Sequence, residues 1–224
     1  MRSFVHNRDR HGVALRNRRT LICVAAIIAL GGATPAAFAE DPDASSMTYA
    51  RNLAIGVCGG CHGAHGNSTQ PKFPRLAGQN ANYLRAQLTA FRAQSRGDPD
   101  ALGYMWGMAS QLDDATIDAL AVYYSNQRPE PRRNRATAEV ARGREIYQHG
   151  VASEGVPACT SCHGPDGQGL ADFPRIAGQH AQYVLKQLGS FKSNMRNVAV
   201  MHGVAQGLKS DEMHAVAAYL ESLP

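Results

Sequence analysis

Residues 58–63 read Cys58-Gly59-Gly60-Cys61-His62-Gly63, and residues 159–164 read Cys159-Thr160-Ser161-Cys162-His163-Gly164. The echo continues downstream. Phe73-Pro74-Arg75-Leu76-Ala77-Gly78-Gln79 returns as Phe173-Pro174-Arg175-Ile176-Ala177-Gly178-Gln179, and Tyr83, Gln87 and Leu88 return as Tyr183, Gln187 and Leu188. Met105-Trp106-Gly107 is matched by Met201-His202-Gly203. Offsets of 101, 100 and 96 residues mark one unit present twice, with small loop differences between the copies. A period this long does not belong to a stacked solenoid. It predicts two domains, residues 40–128 and 137–224, joined by residues 129–136. The joint contains Pro129, Pro131, Arg132, Arg133 and Arg135, a composition that breaks helix and suits a stiff, solvated linker.

Within each unit the pattern is helical, and no stretch alternates with period two. Ile117, Leu120, Ala121 and Tyr124 fall at i, i+3, i+4 and i+7, matched by Met213, Val216, Ala217 and Leu220. This spacing predicts an amphipathic helix closing each half, capped by Asp114 and by Ser210. Gly, Pro and Asn dominate between each Cys-His motif and the Phe-Pro segment, which reads as loop. The expected fold class is all-α. Domains this small bury marginal cores, so something other than side chains should fill the middle of each.

The formal charge of +5 arises from 23 basic and 18 acidic residues, but the first 39 residues hold six Arg (Arg2, Arg8, Arg10, Arg16, Arg18, Arg19) against Asp9 alone. Setting them aside leaves 17 residues of each sign, which removes any nucleic-acid reading based on net charge. That segment reads as a secretory signal: Arg-rich over 1–19, apolar from Leu21 to Leu30, and Ala37-Phe38-Ala39 before Glu40. Its apolar run of about 10 to 13 residues falls short of the roughly 20 that span a bilayer. Cleavage near Ala39/Glu40 and a soluble periplasmic product are expected. Residues 40–128 carry seven basic and eight acidic side chains, and 129–224 carry ten and nine, so no large single-sign field should steer docking.

Five cysteines are present. Cys23 lies in the signal-like segment; the other four form two C-x-x-C pairs, each followed at once by His. That is the attachment signature of c-type haem. Two thiols at this spacing form thioethers with the two vinyl groups, and the adjacent His reaches the iron from the same side. Cys58, Cys61, Cys159 and Cys162 are the expected covalent attachments of two haem c groups, with His62 and His163 as axial ligands. Zinc ligand pairs normally lie much closer in sequence than these. A structural disulfide or a thioredoxin-like redox pair requires neither the His nor its repetition.

The sixth iron ligand must come from elsewhere. Met105 and Met201 each stand eight residues before the start of a closing helix (Asp113, Lys209). Met108 aligns with Val204 and Met195 has no partner in the first half, so the repeat selects Met105 and Met201. The competing histidines are His65, His149, His180 and His202. His202, aligned with Trp106, is the strongest rival, and its use would make the second haem bis-His.

On these motifs the chain resembles the dihaem cytochrome c4 family, a tandem of two class I cytochrome c domains, each wrapped round one covalent haem. The resemblance implies that Pro74 and Pro174 supply carbonyls to the iron-ligating histidines, and that Arg75 and Arg175 contact haem propionates. It implies an electron carrier, not an enzyme, moving electrons from a membrane quinol-oxidising respiratory complex to a haem-copper terminal oxidase. His/Met ligation fills all six iron positions and suits outer-sphere transfer; a dihaem peroxidase would need an open iron. The alternative is a cytochrome subunit held in a dehydrogenase complex, such as a flavin-containing sulfide dehydrogenase. A monomer with possible peripheral membrane association completes the expectation.

Overall fold

The computed structural model describes residues 42–131 and 136–224. The signal-like segment with its cleavage site, and Arg132, Arg133 and Arg135 of the joint, lie outside the described residues. The first half contains α1 (Ala44–Leu53), α2 (Gly59–His62), α3 (Ala81–Arg92), α4 (Trp106–Ala109) and α5 (Asp114–Ser125). The second contains α6 (Ala138–His149), α7 (Thr160–His163), α8 (Ala181–Lys192), α9 (Ala199–Gly207) and α10 (Ser210–Ser222). Among the described residues the only strand-like pairing is a single bridge between Val151 and Val156. The fold is all-α, as the periodicity predicts. No helix among the described residues is long and apolar enough to cross a membrane.

The closing helices α5 and α10 are the cores of their halves. All eight apolar positions that define their predicted stripe are buried, from Ile117 and Ala121 in α5 to Val216 and Ala217 in α10. The caps fall one residue earlier than Asp114 and Ser210. Asp113, with extended backbone, accepts from Thr116 N at 2.8 Å. In the second half Ser210 is already helical, and Glu212 reaches back to accept from Lys209 N at 2.8 Å. In both, the cap residue is the last one whose backbone is still extended, which frees its own or a neighbour's carboxylate for the unpaired N–H groups of the first turn.

Helix α1 packs on α5 and α6 packs on α10. The second crossing is the closer: a Cβ built on Gly143 would lie 1.9 Å from Ala215 O. The approaches to the two Cys-His turns differ. From α1 the chain runs through a wide helical turn, Ala54–Cys58, directly into α2. From α6 it leaves the helix at Gly150, where φ is +73°, makes the Val151–Val156 bridge, and only then enters α7.

Candidate haem sites

Each Cys-His turn ends on a glycine with positive φ, Gly63 at +76° and Gly164 at +82°, which releases the chain into the loop leading to the Phe-Pro segment. That segment comes back against the histidine. His62 Nδ1 lies 2.9 Å from Pro74 O, and His163 Nδ1 lies 3.0 Å from Pro174 O. A carbonyl only accepts, so Nδ1 carries the hydrogen and Nε2 keeps its lone pair. Both rings are buried. Burial holds them below the usual histidine range, against the opposing pull of the proline carbonyl. A neutral imidazole with Nε2 as its donor atom is the form that binds a metal.

Phe73 sets its ring edge-on to His62, with centroids 6.1 Å apart, and also meets Tyr104 at 5.6 Å. It thereby connects the histidine to the residue preceding Met105. Phe173 stands against His163 in the same way, at 6.3 Å. Met105 is half-buried against Phe91, Ala101 and Ala109, and Met201 against the second core. Met108 and Met195 are exposed on the surface.

Each rival histidine has a polar neighbour of its own, although His202, like His62 and His163, places Nδ1 against a backbone carbonyl and keeps Nε2 as its donor atom. His180 is fully buried, with Nε2 2.9 Å from Ser68 O and Nδ1 3.6 Å from Glu221. His65 Nδ1 faces Tyr123 Oη at 3.3 Å, and exposed His149 sits beside Glu145. His202 Nδ1 lies 2.7 Å from Phe191 O, just as Trp106 Nε1 donates to Arg96 O at 2.8 Å in the first half. None of the four cysteines is paired in a disulfide. Burial raises Cys58 and pushes Cys159 up to about 11 before any thioether is made. Among the described residues no three His, Cys, Asp or Glu side chains converge as a metal site, which leaves the zinc reading without a ligand set.

The polypeptide alone leaves several needs unmet, and they match a haem. The Tyr124 hydroxyl is buried with only the Cys58 sulfur beside it, and Arg196 Nε is buried without a partner. Ile55, Val57 and Leu102 are exposed in the first half, and Leu170, Phe173 and Val200 in the second. A flat apolar group bearing carboxylates supplies a surface for such side chains and an anion for the arginine. Arg75 and Arg175, the implied propionate contacts, also bond protein acceptors. Arg75 donates to Gly178 O, Asn67 Oδ1 and Glu130 O, and Arg175 donates to Pro224 O.

What the motif reading missed is a polar contact joining the halves. Gln179 Oε1 accepts from Arg75 N at 2.9 Å, and its amide donates to Arg75 O at 3.0 Å. Gln79 does the same to Arg175, at 2.8 Å for both bonds. Behind this clasp, Arg96 donates to Gln87 and Gln187 at 2.8 Å each. Arg196 mirrors it, donating to Gln187 at 2.7 Å, Gln87 at 2.8 Å and Tyr83 Oη at 2.7 Å. The available signal was the recurrence of polar residues at a constant offset on helices α3 and α8. Duplication accounts for recurrence in general, and only the contact explains why buried polar residues recur.

A cytochrome c family model matches residues 49–127 and 140–224. Cytochrome c-552 of Acidithiobacillus ferridurans is 38% identical over 215 residues, covering 95% of this chain and 91% of that protein. A thiosulfate dehydrogenase electron acceptor of Thiomonas intermedia (strain K12) is 34% identical over 213 residues, covering 92% of each. The solved structure of cytochrome c4 from Acidithiobacillus ferrooxidans aligns with a TM-score of 0.70 at 42% identity, covering 74% of this chain and 98% of that one. With one family match over each copy of the Cys-His turn, the chain belongs to the cytochrome c family, as a cytochrome c4-like electron carrier with two haem c groups.

Proposed function

We propose that the protein is an exported, periplasmic carrier that takes electrons from a quinol-oxidising respiratory complex and delivers them to a haem-copper terminal oxidase. Cys58 and Cys61 hold the first haem, with His62 and Met105 on its iron; Cys159 and Cys162 hold the second, with His163 and Met201. The observation that supports this most directly is the pair of buried, neutral imidazoles, each with Nδ1 donating to a proline carbonyl. That bond fixes the ring and raises its strength as a ligand. A haem with His and Met on its iron changes oxidation state without binding substrate. The polypeptide holds the rings still, shields them from water and leaves the protein to act by electron transfer rather than catalysis.

A second reading has a specific basis: the similarity to a thiosulfate dehydrogenase electron acceptor over 92% of this chain. In it, the donor is a soluble sulfur-oxidising dehydrogenase that holds this protein as a subunit. Mass spectrometry of the matured protein should show two haems on a chain beginning near Glu40. Stopped-flow reduction by a quinol-oxidising complex, run against reduction by a thiosulfate dehydrogenase with thiosulfate, then separates the readings. Reduction by the dehydrogenase alone, with co-purification of the pair as a stable complex, overturns the first.

A further inference from the structure

The peptide unit between Pro74 and Arg75 is bonded at both ends. Its carbonyl accepts from His62 Nδ1 at 2.9 Å, and its N–H donates to Gln179 Oε1, also at 2.9 Å. The unit between Pro174 and Arg175 repeats this, with His163 at 3.0 Å and Gln79 Oε1 at 2.8 Å. Each glutamine belongs to the opposite half. Both are 7% exposed. Their orientation is unambiguous, because each amide nitrogen turns back to the carbonyl of the same arginine.

An amide that donates at nitrogen while accepting at oxygen is polarised by both bonds, each strengthening the other. Gln179 therefore makes Pro74 O a better acceptor. A better acceptor draws harder on the Nδ1 hydrogen, which makes the imidazole more electron-donating through Nε2. More donation favours ferric iron and lowers the reduction potential. The chain from one half's glutamine to the other half's histidine is short and continuous, and runs through a single peptide group.

We propose that Gln179 and Gln79 are positioning residues acting across the contact: Gln179 sets the donor strength of His62, and Gln79 that of His163. The proposal rests on the reading of those histidines as iron ligands. Its consequence is a crossed wiring of redox control, in which each haem's potential is set partly by the half that does not hold it.

The test is a redox titration of the intact dihaem protein, with each haem followed separately by its NMR methyl resonances. Gln179→Leu removes the acceptor without adding charge. It should raise the potential of the first haem, shifting that haem's reduction equilibrium by about two- to fivefold, and leave the second nearly unmoved. Gln79→Leu should do the reverse. Gln179→Glu keeps an acceptor at Oε1 and gives it a negative charge while losing the donor to Arg75 O, so it should lower the first haem's potential more than the second's. A shift confined to the half carrying the substitution, an equal shift in both haems, or none in either overturns the proposal. Should the leucine variants not fold, the glutamate pair alone decides it, since the larger downward shift must again be the crossed one. His62→Ala checks the ligand assignment apart from the tuning. If the first haem's six-coordinate spectrum survives it, the assignment has failed; if that spectrum is lost but the shifts are not crossed, only the tuning has.

Discussion

At the histidine of the Cys-His turn and at the glutamine clasp, the two halves make the same bonds with lengths that agree to a tenth of an ångström or so. From the first helix to the first cysteine they share almost nothing: a continuous wide turn in one, and a break at Gly150 with a bridged loop in the other. The difference follows from what each stretch touches. In this reciprocal contact each glutamine of one half is held by an arginine backbone of the other, so a change in either half removes a bond that the other half needs. Gln79 grips Arg175 while Gln179 grips Arg75. The approach helices face only their own half and are free to differ.

The largest effect expected across this comparison concerns the methionines, whose surroundings differ although their positions match. Met105→Ala and Met201→Ala should each open one iron and remove about half of the weak sulfur-to-iron charge-transfer absorbance of the ferric protein. Each should lower one haem's potential and allow carbon monoxide to bind that haem. Met108→Ala, on the exposed surface, should change none of these. If Met201→Ala leaves the band intact while His202→Ala alters the second haem, the halves differ in ligation and not only in approach.

A smaller effect, confined to one half, is expected where α6 crosses α10. A methyl on Gly143 would sit 1.9 Å from Ala215 O and 2.8 Å from Tyr219 Cβ, so the helices must separate. Gly143→Ala should cost roughly 2–3 kcal/mol, towards the upper end of overpacking penalties. In the first half the buried Ala50 already occupies the face of α1 turned to the core, and Ala50→Gly should cost about 1 kcal/mol from backbone entropy and lost contact. Denaturant titrations that follow each haem's Met ligation should show the second half opening first in Gly143→Ala. Simultaneous loss of both signals would mean that the clasp makes the halves one cooperative unit.

The sequence is most legible where chemistry constrains residue type. Cys, Cys and His at fixed spacing, and apolar positions at helical spacing, have few alternative explanations, and the closing helices follow from the latter; the proline carbonyl against each histidine comes from the family resemblance. It is least legible where ordinary polar residues act in pairs that are distant in sequence. Gln87 and Gln187 look like solvent-facing helix positions until Arg96 and Arg196 are seen to share them. Arg75 and Arg175 illustrate a further role that the motif does not show: the backbone atoms of each take part in the clasp, and the Arg75 guanidinium also crosses to Gly178 O. The caps were displaced by one residue because Asp113-Asp114 and Lys209-Ser210 each offer two adjacent candidates, and only backbone conformation chooses between them.

The smallest expected effect tests a charge at the contact, Asp98, that has no counterpart in the other half. Arg96 Nε donates to Asp98 Oδ2 at 2.6 Å, whereas position 198 is Val and Arg196 Nε is buried without a partner. Burial raises the Asp98 pKa, but the charge and hydrogen bond of Arg96, with the Gln187 amide and Arg196, together outweigh it and hold the carboxyl below its ordinary value. A carboxyl with a depressed folded-state pKa adds stability above its unfolded value, near 3.9, and that contribution fades as pH falls towards the folded value. The protein should therefore lose stability on acidification below about pH 4 more steeply than Asp98→Asn does. The Asn variant keeps an acceptor for Arg96 Nε and has no proton to gain. Thermal melts at closely spaced pH values, parent against variant, measure the difference in slope. Parallel slopes would show that the Arg96–Asp98 pair gives no net advantage over a neutral hydrogen bond. The replacement of Asp98 by Val198 in the second half would then carry no electrostatic cost.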